Sequence, residues 1–170
     1  MNRILFDLVH NEFRSVLVES MIVDGESLAS LVARSAPTPG YNGLVSALLP
    51  PRETLMSAED SALIRSRILP PEGGVAIAPI LICPDDLDLS CTVIFAQVER
   101  AGDTVTWRQL GVEARHSEVR SVGALAVIKR EGKLTDTMDW WPGVGPFSFS
   151  LEEYRACLTA FERAAAENPS

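Results

Sequence analysis

The sequence predicts an α+β fold, in which a largely antiparallel sheet carries a C-terminal amphipathic helix packed on one face. Most of the apolar runs have the length or alternation of strands and are separated by short turns, as in antiparallel hairpins. The last segment instead repeats its apolar residues at intervals of three and four, as a helix does. Strands followed by helices, strands and a final helix are typical of α+β proteins. Residues 1–170 are expected to form a single domain.

The N-terminal part is predicted to begin with a hairpin and continue with short helices. Arg3–Val9 and Ser15–Val23 are apolar runs on either side of a polar segment, which indicates two paired strands. Helices are predicted over Glu26–Arg34 and around Leu44–Leu49 from the spacing of their apolar residues. A third helix is predicted to begin after Ser57 as its cap and to end near Leu69, before two prolines.

The central part is predicted to consist of strands. Gly74–Cys83 is an almost continuous apolar run, in which Pro79 indicates either an edge position or a bulge. Cys91–Arg100 and Thr104–Leu110 flank a short turn and predict a hairpin. Leu125–Lys129 predicts one more strand.

The C-terminal helix has the clearest start signal in the chain. Ser150 is predicted to cap it, with Glu153 three residues later and a hydrophobic staple between Phe149 and Tyr154. The residues predicted to form its buried face are Leu151, Tyr154, Leu158, Phe161 and Ala165.

Composition narrows the classes of partner and location. The formal net charge is -8, which disfavours nucleic acid and suits a basic protein partner or simple solubility. No apolar stretch approaches the length of a membrane span. Asp7 interrupts what would be the apolar region of a secretory signal, and three cysteines leave one unpaired. These features predict a cytoplasmic protein, and they leave the oligomeric state open.

The loop Cys83–Cys91 concentrates reactive side chains, with two thiols and three carboxylates in nine residues. Cys83, Asp86 and Cys91 are candidate metal ligands, although zinc sites usually have four ligands and no histidine is near in sequence. A disulfide or redox pair between the two thiols is an alternative. Asp85, Asp86 and Asp88 are also candidate contacts for a partner, and turn-forming carboxylates at strand ends explain the same residues without a ligand.

This loop and the strand after it resemble a family of bacterial proteins of unknown function. Members of that family carry a Cys-Pro-x-Cys-Gly-Asp-Leu-Gly-Cys loop. In this chain Asp86 replaces the middle cysteine, while Leu87 and Ser90 replace glycines. The residues that match the family elsewhere are Cys83, Pro84, Asp88, Leu89, Cys91, Glu99, Arg100, Gly102, Asp103, Thr104, Val105, Trp107, Gly111, Gly145, Pro146, Phe147 and Tyr154. The resemblance implies no activity, and the missing thiol argues against an essential metal.

Two further groups of residues are weaker candidates for function. Trp140 and Trp141 lie in a segment predicted to be a loop, where they would form either an exposed anchor for a partner or a cap on the core. A nucleophile formed by Ser90 or Cys91 with His116 is conceivable, but no motif supports it.

The sequence therefore predicts a non-catalytic cytosolic binding or accessory protein of the immunity type. The alternative is a small enzyme or a metal/thiol protein that uses the Cys83–Cys91 loop. Whether the protein is an enzyme stays open. Neither a phosphate-binding loop nor a dinucleotide-binding glycine motif is present, so no cofactor is predicted.

Overall fold

The computed structural model describes residues 1–50, 53–89, 91–113 and 138–167, which form an α+β fold. The strands are β1 (Ile4–Asn11), β2 (Val16–Val23), β3 (Glu26–Ser27), β4 (Val45–Ser46), β5 (Val75–Ile82), β6 (Val93–Ala101), β7 (Thr104–Glu113), β8 (Met138–Trp140) and β9 (Phe147–Ser150). The helices are α1 (Leu28–Ser35), α2 (Ala58–Ile68) and α3 (Leu151–Glu167).

The strands of the described residues form two antiparallel sheets. The smaller sheet has the order β1-β2-β3, and its long hairpin confirms the predicted N-terminal pair. The larger sheet has the order β4-β5-β6-β7-β8, with β9 also paired to β7. Because Thr104–Trp107 pairs with β9 and Gly111–Glu113 pairs with β8, these two short strands lie end to end along one edge of β7.

The C-terminal helix packs against the sheets and begins as predicted. The backbone N–H of Glu153 donates to Ser150 Oγ at 3.1 Å, and the rings of Phe149 and Tyr154 lie 5.7 Å apart. On the opposite end of the helix, Phe161 meets Phe6 of β1 edge to face at 4.9 Å. Helix α3 therefore covers the first hairpin as well as the edge of the second sheet.

Two predicted elements of the central region are confirmed with their irregularities. Ser57 caps α2 by accepting a hydrogen bond from the N–H of Asp60. The register of β5 against β6 shifts between Pro79 and Leu81, so the predicted bulge is present in a strand that has a neighbour on both sides. The strand predicted at Leu125–Lys129 lies outside the described residues.

The helix predicted around Leu44–Leu49 is wrong. Val45 and Ser46 instead form β4, which pairs with Ile82 and Leu81 of β5. Pairing with a long strand that is buried over most of its length stabilises the extended conformation more than four apolar residues stabilise a single helical turn. The short strands β8 and β9 were not predicted either, since each forms only by adding to the edge of β7.

None of the helices in the described ranges is long and apolar enough to span a membrane.

Candidate metal centre

The Cys83–Cys91 loop connects two adjacent antiparallel strands. Strand β5 ends at Ile82 and β6 begins at Val93, and these two residues are paired in the register. Cys83 and Cys91 therefore lie just beyond the last rung of the ladder, one on each side. The pairing of β5 with β6 therefore fixes where the two ends of the loop, and with them Cys83 and Cys91, lie relative to each other.

A tight turn brings a carboxylate back to the first thiol. The N–H of Leu87 donates to the carbonyl of Cys83 at 3.1 Å, which closes a five-residue turn and returns Asp86 toward Cys83. Leu87 has a φ of 52°, in the left-handed region that favours glycine. The carbonyl of Leu87 accepts from the N–H of Leu55 at 3.0 Å, and Leu89 is buried in the core. The loop is thus held in place at two points, at Leu87 by a hydrogen bond and at Leu89 by burial in the core.

Three potential ligand atoms converge in this loop. The Sγ atoms of Cys83 and Cys91 and a carboxylate oxygen of Asp86 all lie within 4.8 Å of one another. Ligands at about 2.3 Å from a tetrahedral zinc ion lie about 3.8 Å apart, so these atoms need to draw together by only about 1 Å. Cys83 is buried, Cys91 is half-buried and Asp86 is exposed, so the cluster opens toward solvent on the Asp86 side. All three are the predicted metal-ligand candidates.

The two thiols of this cluster are free. The neighbouring Cys83 thiol raises the pKa of Cys91 from its ordinary value of 9.0, and burial and a hydrogen bond with Asp86 add to that shift. A reactive cysteine needs a depressed pKa. The raised pKa therefore does not support a role for Cys91 as a nucleophile. Metal binding is compatible with it, because a metal ion displaces the proton of the thiol that it binds.

Cys91 also lines a cleft of about 480 Å³. The other residues of its wall include Tyr41, Glu113 at the end of β7 and Asp139 on β8. A metal held by three protein ligands beside this cleft would keep a fourth position for water or a small ligand. Sequence reasoning missed these wall residues because β8 brings Asp139 to the site only through its pairing with β7, at Val112.

The other predicted site residues are distributed differently. Asp85 is exposed, and Asp88 is half-buried with an interaction partner. Trp141 is only 3% exposed and packs on the ring of Tyr41 at 5.1 Å, so it is not an exposed anchor. Trp140 is half-buried at the end of β8. The aromatic segment therefore folds onto the core, because large rings gain more from burial than from solvent contact.

Two residues of the nucleophile considered above, Ser90 and His116, lie outside the described residues.

The chain matches no protein-family model, no curated protein and no solved structure. The resemblance carried by the loop therefore stays a prediction. One position of the loop pattern can be compared with the backbone. Leu87, which replaces a glycine of that pattern, has a left-handed backbone, a conformation that glycine adopts readily.

Proposed function

We propose that this protein binds a soft divalent metal ion, zinc above all, through Cys83, Asp86 and Cys91. The observation that carries the proposal is the convergence of the two thiols and one carboxylate within 4.8 Å. Asp86 and Cys91 lie three and eight positions after Cys83 in the sequence. They come close to Cys83 because the chain turns at Leu87 and because the ends of β5 and β6 are paired. Among the alternatives predicted from sequence, this geometry favours the metal/thiol protein.

The ligand types select the metal. Two thiolates disfavour magnesium and calcium, which take oxygen ligands, and favour zinc or another soft ion. Three ligands from one loop leave a coordination position beside the cleft, which is the arrangement of an open site rather than of a closed structural site. The proposal is therefore a metal centre that presents an exchangeable position to a small ligand.

The experiment is elemental analysis of protein purified without chelator, with zinc affinity measured by competition against a chromophoric chelator. We expect one zinc ion per chain. Replacement Cys83→Ser or Cys91→Ser should weaken zinc binding by at least about 100-fold, because a hydroxyl does not replace a thiolate ligand. The matched control is Cys157→Ala, which removes the free cysteine of helix α3 and should leave zinc affinity unchanged.

The proposal fails if the wild-type chain binds zinc no more tightly than the Cys83→Ser variant. It also fails if Cys157→Ala lowers affinity as much as the loop variants do, since zinc would then be binding to thiols without a site. Circular dichroism of each variant shows that a loss of affinity is not a loss of fold.

The predicted binding or accessory function is a second candidate. Asp85 and Asp86 are both exposed beside each other on the loop surface, which supports contact with a basic partner. Replacement of Asp85 by Asn separates the two functions, because Asp85 is not among the clustered ligands. A partner that uses this loop should lose affinity with Asp85→Asn, while zinc binding should not change.

A further inference from the structure

A second cleft, built from other residues, lies at the N-terminal hairpin. It has a volume of about 560 Å³ and runs between β1 and β2, helix α1 and residues 42–46. Four serines are among the residues that line it, and these are Ser20, Ser27, Ser30 and Ser46. No residue of the Cys83–Cys91 loop lines it.

Glu19 is the one carboxylate of this cleft that is both buried and unpaired among the described residues. It is only 8% exposed, lies on β2 opposite Leu8 and lines the cleft. Its side chain forms no hydrogen bond or ion pair with any residue of the described ranges. A cationic side chain that enters the cleft would supply a partner for this carboxylate.

Three exposed apolar side chains form a rim beside the cleft: Phe13 lines the cleft itself, whereas Leu8 and Leu17 are neighbours of its lining residues in the hairpin. Leu8 is 50% exposed, Phe13 65% and Leu17 62%. Leu8 and Leu17 lie on the same face of the hairpin as Glu19, because Leu8 pairs with Glu19 and Leu17 lies two residues before it. A small amine would not cover these three side chains, whereas the surface of a protein partner would.

The tip of the hairpin is fixed in place over the cleft. Asn11 Nδ2 donates to the carbonyl of Gly43 at 2.9 Å, and the Phe13 ring lies so close to Gly43 that a Cβ there would collide with it. The rim and the carboxylate therefore keep a constant relative position, which lowers the entropic cost of binding.

We infer that this cleft is a docking site for a protein partner that inserts an arginine side chain between apolar neighbours. A guanidinium group has five N–H donors in a planar fork, and the Glu19 carboxylate accepts a pair of them. The net charge of -8 attracts a basic segment and disfavours a second acidic copy of this chain. The apolar rim contacts the residues that flank the arginine.

The test uses the ¹⁵N-labelled full chain and the peptide N-acetyl-Leu-Arg-Phe-amide as the probe. We expect amide shifts confined to β1, β2, helix α1 and residues 42–46. The same peptide with citrulline in place of arginine should bind at least about 10-fold more weakly, since it lacks the charge. Replacement Glu19→Gln should weaken the arginine peptide by a similar factor, and Leu17→Ser should weaken both peptides.

Three results would overturn the inference. These are no shifts up to the solubility limit of the arginine peptide, equal binding of the citrulline peptide, and unchanged binding by Glu19→Gln. Sedimentation of the free protein is a further check, since a dimer that Glu19→Gln dissociates would assign the cleft to a second copy of the chain. The variant Cys83→Ser is the matched control and should bind the peptide as the wild type does, so this result is independent of the proposed metal centre.

Discussion

At the scale of single residues, Asp85 and Asp86 are neighbours of the same chemistry with different surroundings. Asp86 is returned by the Cys83–Leu87 turn into reach of both thiols, whereas Asp85 is exposed and lies outside the cluster. The difference arises from the turn and not from the side chain. This pair therefore separates a specific ligand from the general negative charge of the loop.

Replacement of Asp86 tests that distinction in both directions. Asp86→Cys should tighten zinc binding, because a third thiolate is a better ligand for zinc than a carboxylate. Asp86→Asn should weaken it by about 10-fold or more, since the amide carries no charge. The measurement is chelator competition at fixed pH, with Asp85→Cys and Asp85→Asn as matched controls. Equal effects at the two positions would contradict the assignment of Asp86 as a ligand.

Spacing in the sequence was enough to nominate Cys83, Asp86 and Cys91, because all three lie in one loop between two predicted strands. The spacing alone did not predict that the three residues lie close together. That arrangement depends on the left-handed backbone of Leu87, a conformation that is not expected of a leucine. Glu19 was not nominated at all. Alternation predicts a charged residue in a strand to be exposed, whereas Glu19 is only 8% exposed.

At the scale of elements, a single aspartate, Asp24, connects the start of β1 to the turn that follows β2. Asp24 has a φ of 51° in the turn after β2, and its carboxylate accepts from the N–H of Arg3 at 2.8 Å and from Asn2 Nδ2 at 2.6 Å. These bonds tie the start of β1 to the end of β2. The hydrogen bond from Arg3 and then that from Asn2 lower the pKa of Asp24 below its usual 3.8.

This pKa shift makes the contribution of Asp24 to stability dependent on pH. The pKa is lower in the folded state, so the stabilisation is fully present above 3.8 and is lost as the pH falls through the lower folded value. Because Asp24 is exposed, solvent screening limits the contribution to about 0.5 kcal/mol. Asp24→Asn should therefore lower the free energy of unfolding near neutral pH and have less effect in acid.

The measurement is urea denaturation of both proteins at neutral pH and below 3.8. Asn tolerates the left-handed conformation, so the replacement does not add backbone strain. Asp103→Asn, in the exposed turn between β6 and β7, is the control for removing a carboxylate from an exposed turn. A stability difference between wild type and Asp24→Asn that grows in acid would contradict the account.

Elements whose signals are local were predicted well, and elements that exist only through pairing were not. The cap at Ser150 and the bulge near Pro79 follow from one or two residues and are present. The segment Leu44–Leu49 has helical spacing, but β4 forms there because Val45 meets the end of β5. Strand β9 was missed because its four residues acquire strand geometry only from the edge of β7.

At the scale of the whole molecule, one buried hydroxyl links three elements. Tyr154 of helix α3 accepts from Trp107 Nε1 of β7 at 2.9 Å and donates to the carbonyl of Ile68, at the end of helix α2, also at 2.9 Å. Tyr154 and Trp107 are fully buried, and burial raises the pKa of the Tyr154 hydroxyl well above its usual range. The hydroxyl is therefore neutral and serves as both donor and acceptor.

Tyr154→Phe should destabilise the protein although the ring remains. It leaves the buried Trp107 N–H and the Ile68 carbonyl without their partner, which costs about 1–3 kcal/mol. The control is Tyr41→Phe, because Tyr41 is half-buried and contributes its ring to the contact with Trp141. The measurement is the midpoint of chemical denaturation at constant slope. A loss no greater than that of the control would contradict the linking role of Tyr154.

The central claim, that Cys83, Asp86 and Cys91 form a metal centre, is tested most directly by X-ray absorption at the zinc edge of the zinc-loaded protein. The account predicts two sulfur neighbours at about 2.3 Å and lighter oxygen or nitrogen neighbours at about 2.0–2.2 Å, with Asp86→Cys adding a third sulfur. A first shell without sulfur, or one that Cys83→Ser leaves unchanged, would contradict it.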